Sequence, residues 1–104
     1  MMQVTVTVTE NANPKKKPDS SSLGFGQYFS DHMFMMEYDR TNGWHDARIV
    51  PFGPLSLHPA ATVLHYGAGI FEGLKVYRRP DGRVQLFRPM DNIRRMNDSA
   101  ERLS

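Results

Sequence analysis

The spacing of apolar and polar residues in the first half of the chain predicts strands. Residues 4–9 alternate between valine and threonine, and this period of two is typical of a strand. Residues 29–38 are rich in aromatic residues and methionine, and the turn that follows contains Asn42-Gly43, a strong hairpin signal. We therefore predict an antiparallel hairpin in which residues 29–38 pair with a second strand through residues 47–51.

The second half is predicted to contain a short helix, a second hairpin and a longer helix. Residues 60–66 form the short helix, and residues 74–79 and 83–88 form strands around a turn with Pro80 at its second position. Pro89 can open a helix because its missing N–H costs least there. One face of that helix is apolar, with residues spaced by three and four positions: Ile93, Met96, Ala100 and Leu103. The predicted class is α+β, with antiparallel strands and a C-terminal amphipathic helix.

Composition divides the chain near Leu23. Residues 11–22 combine asparagine, proline and serine with three lysines, a composition typical of a linker. We predict a disordered or weakly ordered tail at residues 1–22 and a partial small domain at residues 23–104. The apolar face of the last helix requires more packing partners than a few strands supply, so we expect the chain to be truncated.

Several classes of function are excluded by composition. The 104 residues include no cysteine, which excludes disulfides, thiolate catalysis and cysteine-based zinc sites. The four histidines lack the spacing of a metal site. No apolar run approaches the ~20 residues that a membrane span requires, and the first residues do not have the pattern of a signal peptide. We therefore expect no metal site and no membrane partner.

The basic residues raise a different possibility. The net charge is +2, and Lys15, Lys16 and Lys17 form a short basic run. Such a run is compatible with a nucleic-acid-binding module, and also with a solvated, flexible arm. The arm is favoured because three lysines neutralise few phosphates and no interleaving of aromatic and basic residues is evident. We expect no nucleic-acid partner.

Two features are candidates for chemistry. Gly67, Gly69 and Gly73 would let the backbone approach a ligand closely, although a glycine-rich bend between a helix and a strand gives the same pattern. Arg95, on the predicted long helix, can bind a phosphate or carboxylate through two parallel hydrogen bonds. A solvent-facing arginine would have the same sequence pattern, so both interpretations stay open on the residues alone.

A set of linked motifs carries a specific resemblance. They are SDHM (30–33), LHPA (57–60), LHYG (64–67), FEGLKVY (71–77), LFRP (86–89), NIRRM (92–96) and SAERL (99–103). In this order the motifs closely resemble the small N-terminal domain of branched-chain amino acid aminotransferases, which are fold-type IV pyridoxal-phosphate enzymes. The resemblance covers residues 23–104 and leaves the tail unmatched.

The resemblance implies an activity and a cofactor. The parent enzyme would transfer an amino group reversibly from leucine, isoleucine or valine to 2-oxoglutarate, giving a branched 2-oxo acid and glutamate. Pyridoxal 5'-phosphate would be the cofactor and the electron sink. The resemblance also implies a cytoplasmic homodimer that acts in branched-chain amino acid metabolism, either in biosynthesis or in breakdown.

The resemblance assigns roles to four residues. Arg95 matches the arginine that binds the cofactor phosphate, and Tyr66 matches a tyrosine that lines the substrate site of the neighbouring subunit. Phe71 and Phe25 match aromatic walls of the pocket for the substrate side chain. No lysine here, including Lys75, matches the lysine that forms the Schiff base, so we predict no catalytic residue in this chain.

Two alternative functions remain. Another fold-type IV enzyme, such as a D-amino acid aminotransferase or an aminodeoxychorismate lyase, would share the general site but less of the FEGLKVY and LFRP motifs. A non-catalytic remnant or assembly partner domain would account for the missing lysine.

Overall fold

The computed structural model describes residues 3–103. These residues form seven elements: β1 (Thr7–Val8), β2 (His32–Asp39), β3 (Gly43–Pro51), α1 (Thr62–Tyr66), β4 (Val76–Arg78), β5 (Val84–Leu86) and α2 (Pro89–Leu103). Antiparallel pairs and a C-terminal helix confirm the predicted α+β class. The elements fall into two compact units, which divide between Leu55 and Ser56.

The first unit is organised around the β2–β3 hairpin. The strands pair antiparallel, with Met33 opposite Val50 and Tyr38 opposite Trp44. In the turn, the Asp39 carboxylate accepts hydrogen bonds from the backbone N–H groups of Thr41 at 2.8 Å and Asn42 at 2.7 Å. The predicted hairpin is confirmed, although β3 begins at Gly43 rather than near residue 47 because Gly43 already pairs with Asp39.

An irregularity interrupts the hairpin. Met35 pairs with Arg48 and Glu37 pairs with His45, so β3 contains one more residue than β2 in this interval. Such an extra residue is a β-bulge, which bends the strand. Asp46 lies inside it with a φ of 54°, a conformation that is uncommon for any residue other than glycine. The turn signal of the sequence does not encode this bulge.

Part of the predicted tail contacts the hairpin. β1 pairs parallel with β3, and the N–H of Thr9 donates to the carbonyl oxygen of Ile49 at 2.9 Å. The N–H of Lys15 donates to the Asp31 carboxylate at 2.9 Å. The valine–threonine alternation thus includes a two-residue strand. A weakly ordered tail at residues 1–22 stays a prediction, and its first two residues lie outside the described range.

Burial in the first unit is shallow. Of residues 3–103, Ala47 is the buried apolar residue, with 4% of its surface exposed. It lies beside Asp46 within the bulge of β3, the strand that runs between β2 and β1 in the sheet. Phe29 stacks on Phe52 with ring centroids 5.2 Å apart. Even so, more than half of Phe29 and nearly half of Phe52 remain exposed. The unit is therefore held mainly by backbone pairing.

The second unit begins with α1 and a small hairpin. α1 ends at Gly67, whose φ of 60° is the left-handed conformation that commonly closes a helix. β4 and β5 pair antiparallel around the predicted turn, in which the Gly82 N–H donates to the Arg79 carbonyl oxygen at 2.9 Å. Both the short helix and the second hairpin are confirmed, each shorter than predicted.

The long helix also begins where predicted, at Pro89. Its apolar face is only partly covered: Met96 is half-buried, but Ile93 and Leu103 keep 40% and 59% of their surface exposed. Asn92 and Ser99 are half-buried as well, one turn before and after Met96. The most covered stripe of α2 therefore includes polar residues, and this stripe leads to the candidate site.

Candidate functional site

A carboxylate in the glycine-rich loop between α1 and β4 is the centre of a polar cluster. Glu72 accepts a hydrogen bond from Arg95 Nε at 2.7 Å on Oε2, and a second from Arg95 Nη2 on Oε1. Asn92 Nδ2 donates to Oε1 at 3.0 Å, and the N–H of Gly73 donates to the same oxygen at 3.1 Å. With four donors around it, the Glu72 side chain is only 10% exposed.

Local structure explains why these donors meet. Asn92 and Arg95 are three positions apart on α2, so their side chains are neighbours on the helix surface. Asn92 Nδ2 also donates to the backbone carbonyl oxygen of Gly73 at 2.8 Å. The amide thus ties the loop backbone to the helix, and this tie places the Glu72 carboxylate beside the guanidinium of Arg95.

The contact between Glu72 and Arg95 shifts the pKa of both groups. Hydrogen bonds from Arg95, and then from Asn92, lower the pKa of Glu72 from its ordinary value of 4.5 to about 2. The hydrogen bond to Glu72 in turn raises the pKa of Arg95. Both groups are therefore charged throughout the neutral range, and they form a fixed ion pair with bidentate geometry, the strongest form of arginine–carboxylate contact.

The ion pair borders an open depression in the surface of the second unit. Its volume is about 320 Å³, and its lining residues are Phe71, Glu72, Gly73, Arg95 and Ser99. We call it the Arg95 depression. The ring of Phe71 is 92% exposed, and it also borders an adjacent depression lined by Ile70, Arg102 and Leu103 among others. A cation and an aromatic ring therefore share one surface.

The structure brings together two of the four predicted site residues. Arg95 and Phe71 border the same depression. Tyr66, the last residue of α1, is 86% exposed and is not among the lining residues. Phe25 lies in the first unit, between two glycines with positive φ, and its ring is 99% exposed. The two remaining residues therefore belong to other surfaces of their units.

Sequence reasoning missed Glu72 and Asn92 as functional residues. Both belong to the quoted motifs, FEGLKVY and NIRRM, and a carboxylate beside the glycines was evident. The spacing of Asn92 and Arg95 could have indicated a shared helix face. Nothing local, however, predicts that a carboxylate in a loop pairs with an arginine 23 positions later.

The geometry of Arg95 is compatible with a phosphate group. A guanidinium carries five N–H donors. The contacts with Glu72 use Nε and one N–H of Nη2. The other Nη2 hydrogen and both Nη1 hydrogens have no acceptor in residues 3–103, and the side chain is 67% exposed. Arg95 can thus bind an oxyanion while it remains paired with Glu72, so the residues present fit the phosphate of pyridoxal 5'-phosphate.

Several known proteins are similar in sequence to this chain. The chain is 61% identical over 90 residues to Branched-chain-amino-acid transaminase 1 of Bacillus subtilis (strain 168), which covers 86% of this chain and 25% of that protein. It is 51% identical over 102 residues to Probable branched-chain-amino-acid aminotransferase of Staphylococcus aureus (strain N315), covering 98% of this chain and 28% of that protein. No family model matches the chain.

A third relative is also named as a branched-chain amino acid aminotransferase. Branched-chain-amino-acid aminotransferase 2 of Bacillus subtilis (strain 168) is 50% identical over 103 residues, which covers 99% of this chain and 28% of that protein. The predicted resemblance to branched-chain amino acid aminotransferases is confirmed. The chain spans about a quarter of the length of the curated relatives that it matches.

Residues 3–103 contain no group of three or more histidine, cysteine, aspartate or glutamate side chains arranged to hold a metal ion. In the same range, neither helix has the length and apolar character needed to cross a membrane.

Proposed function

We propose that this chain is part of a branched-chain amino acid aminotransferase, which transfers the amino group of leucine, isoleucine or valine to 2-oxoglutarate. The observation that carries the proposal is the identity of 50–61% to three such proteins over 86–99% of the chain. Identity this high over several linked motifs favours this reaction over that of another fold-type IV enzyme.

Pyridoxal 5'-phosphate is the proposed cofactor. When bound, it supplies an electron sink for the carbanion that forms at the substrate carbon. Arg95 would bind its phosphate through the N–H groups that Glu72 leaves free. Neither Lys75 nor the lysines at 15–17 match the lysine that carries the cofactor in the family. The proposed reaction therefore depends on groups that this chain does not supply.

The exposed aromatic residues are proposed to serve substrate binding. Apolar pockets select aliphatic side chains by the area they bury. Phe71, in the second unit, would form part of such a pocket, and it is almost fully exposed. Phe25, in the first unit, is also almost fully exposed, and the family resemblance assigns it to a pocket wall as well. Tyr66 would line the substrate site of a neighbouring subunit, which makes a homodimer part of the proposal.

Location and physiological role belong to the same proposal. We infer a cytoplasmic enzyme of branched-chain amino acid metabolism, in biosynthesis or in breakdown. The sequence has no cysteine, which is compatible with a reducing compartment.

Comparison of two ligands that differ only in phosphate tests the cofactor assignment. Pyridoxal 5'-phosphate and pyridoxal are titrated into the polypeptide at its native length, and the dissociation constants are read from absorbance. Arg95→Ala should weaken binding of the phosphorylated ligand by about ten- to a hundredfold, the value of charge-assisted hydrogen bonds. Binding of pyridoxal should not change.

A neighbouring arginine provides the matched control. Arg94 precedes Arg95 on α2 and pairs with Asp91 at 2.9 Å. Arg94→Ala removes the same charge from the same helix and should leave both dissociation constants unchanged. Equal losses for the two arginine variants would show only a general effect of charge. An unchanged constant in Arg95→Ala would remove the phosphate assignment.

A further inference from the structure

The guanidinium of Arg95 has two edges that can each donate a pair of nearly parallel hydrogen bonds. One edge consists of Nε and Nη2, and the other consists of Nη1 and Nη2. Glu72 occupies the first edge with both carboxylate oxygens. The second edge keeps its donors, so the carboxylate orients the arginine without consuming the edge that an oxyanion would use.

We propose that Glu72 is a positioning residue, which holds the Nε–Nη2 edge of Arg95 so that the Nη1–Nη2 edge is presented to the cofactor phosphate. The inference rests on the proposed function, because it assigns Glu72 a role toward the phosphate that Arg95 binds. Glu72 itself does not touch the phosphate.

The surroundings of Glu72 suit this role. The carboxylate is fixed by Asn92 from the helix and by Gly73 from its own loop, and its side chain is 10% exposed. Arg95, by contrast, is 67% exposed on a long side chain that would otherwise sample many rotamers. A nearly buried anchor therefore restricts an exposed cation, and binding a phosphate then requires less ordering of that cation.

A competing effect has the opposite sign. A carboxylate near a phosphate repels it, so loss of the Glu72 charge alone would tighten phosphate binding. Four donors already compensate the Glu72 charge, whereas Arg95 has no other side-chain partner in residues 3–103. Orientation therefore outweighs repulsion, and removal of the carboxylate should weaken phosphate binding.

A double-mutant cycle tests the proposal. Glu72→Gln, Arg95→Ala and the double variant are prepared at the native length of the polypeptide, and the dissociation constants for pyridoxal 5'-phosphate and pyridoxal are measured. Glu72→Gln should weaken binding of the phosphorylated ligand by about tenfold, since the amide cannot accept from both Nε and Nη2. It should leave pyridoxal binding unchanged, and it should have no further effect in the Arg95→Ala background.

The matched control is Asp81→Asn. Asp81 pairs with Arg83 in the β4–β5 turn, at 2.7 Å, and the change from carboxylate to amide is the same. This variant should leave both dissociation constants unchanged.

Each outcome has one meaning. Weakening by Arg95→Ala with no weakening, or with tightening, by Glu72→Gln overturns the positioning role and leaves the proposed function intact. An equal loss from Glu72→Gln with and without Arg95 also overturns it, because the effect would not pass through Arg95. No preference for the phosphorylated ligand in the unmodified polypeptide overturns both the proposed function and this inference.

A measurement on the unmodified polypeptide keeps the test independent of folding in the variants. Arginine side chains are labelled with 15N, and inorganic phosphate is added. The Nη resonances of Arg95 should shift, while its Nε–H resonance should keep its position and its slow exchange with water. Movement of the Nε–H resonance on phosphate addition would show that phosphate displaces Glu72, and this result would overturn the positioning role.

Discussion

Different interactions stabilise the unit that ends at Leu55 and the unit that begins at Ser56, each within itself. The first unit is a three-stranded sheet with pairing along most of β3, a bulge at Asp46 and Ala47 as its buried apolar residue. The second unit has two strands of three residues each, and the helix is tied to its loop by side-chain hydrogen bonds to Glu72 and Gly73.

The contrast between backbone pairing in the first unit and a side-chain cluster in the second explains how the candidate site is positioned. The hydrogen bonds between strands use backbone groups that every residue except proline supplies in full, whereas the cluster around Glu72 depends on the side chain of each of its members. The second unit therefore places Arg95 and Phe71 on one surface by means of Glu72 and Asn92. A change of one side chain should alter the site while leaving the first unit intact.

The largest stability effect is expected at the buried position of the sheet. Ala47 is 4% exposed, so the larger side chain of Ala47→Leu should crowd the residues that cover this position. Such overpacking costs about 1–3 kcal/mol. Ala100→Leu on α2 is the control, since Ala100 is exposed and should tolerate the change. Denaturant unfolding measures the stability of both variants, and equal stability would contradict the burial of Ala47 in the sheet.

A smaller effect is expected at the hairpin turn. Gly43 has a φ of 65° and open space around its α-carbon, so Gly43→Ala would be strained by backbone conformation alone. The left-handed region costs about 1–2 kcal/mol for other residues. Gly53→Ala meets open space at an ordinary φ and is the matched control. A Gly43→Ala variant as stable as the Gly53→Ala variant would show that the turn does not determine the hairpin.

Acid should reveal the electrostatic character of the second unit. Because the pKa of Glu72 is about 2 in the folded state and 4.5 ordinarily, the unfolded chain binds more protons between these values. The stabilisation is present above pH 4.5 and is lost as the pH falls towards 2. The denaturant concentration at the unfolding midpoint, measured from pH 7 to pH 2, should decrease as the pH falls from 4.5 towards 2. Glu72→Gln should make this decrease smaller. An unaltered pH profile in the variant would contradict the ion pair.

The smallest structural effect is expected at Tyr66, which is 86% exposed at the end of α1. Tyr66→Phe removes one hydroxyl from a solvated position, so stability should change by less than about 0.5 kcal/mol. In an active aminotransferase, turnover should decrease more than cofactor affinity. Steady-state kinetics and cofactor titration separate these quantities, and a loss confined to cofactor affinity would contradict a role at the substrate.

The elements predicted from sequence are those with local signals. Asn42-Gly43 predicted the first hairpin, Pro80 the turn of the second, and Pro89 the start of α2, because turn and helix-start preferences are encoded within a few residues. The bulge at Asp46 has no such signal. Neither does the parallel pairing of β1 with β3, which joins residues about forty positions apart.

The residues of the candidate site also fall into two groups, those assigned from the sequence and those found only in the structure. The resemblance assigned a phosphate contact to Arg95 and a pocket wall to Phe71, and these assignments stay predictions. It assigned no role to Glu72, since a contact between a loop carboxylate and a helix guanidinium 23 positions later depends on tertiary structure. The contacts of the half-buried Asn92 could not be predicted for the same reason, because they join the helix to a loop that is distant in sequence.

The activity of the native polypeptide tests most directly whether this chain is part of a branched-chain amino acid aminotransferase. The polypeptide is purified from its source, its intact mass is measured against the 11.9 kDa of this chain, and glutamate formation from leucine and 2-oxoglutarate is followed with and without pyridoxal 5'-phosphate. We expect a mass well above 11.9 kDa and glutamate formation that depends on the cofactor. A mass near 11.9 kDa without glutamate formation would contradict it and would favour a non-catalytic remnant or partner domain.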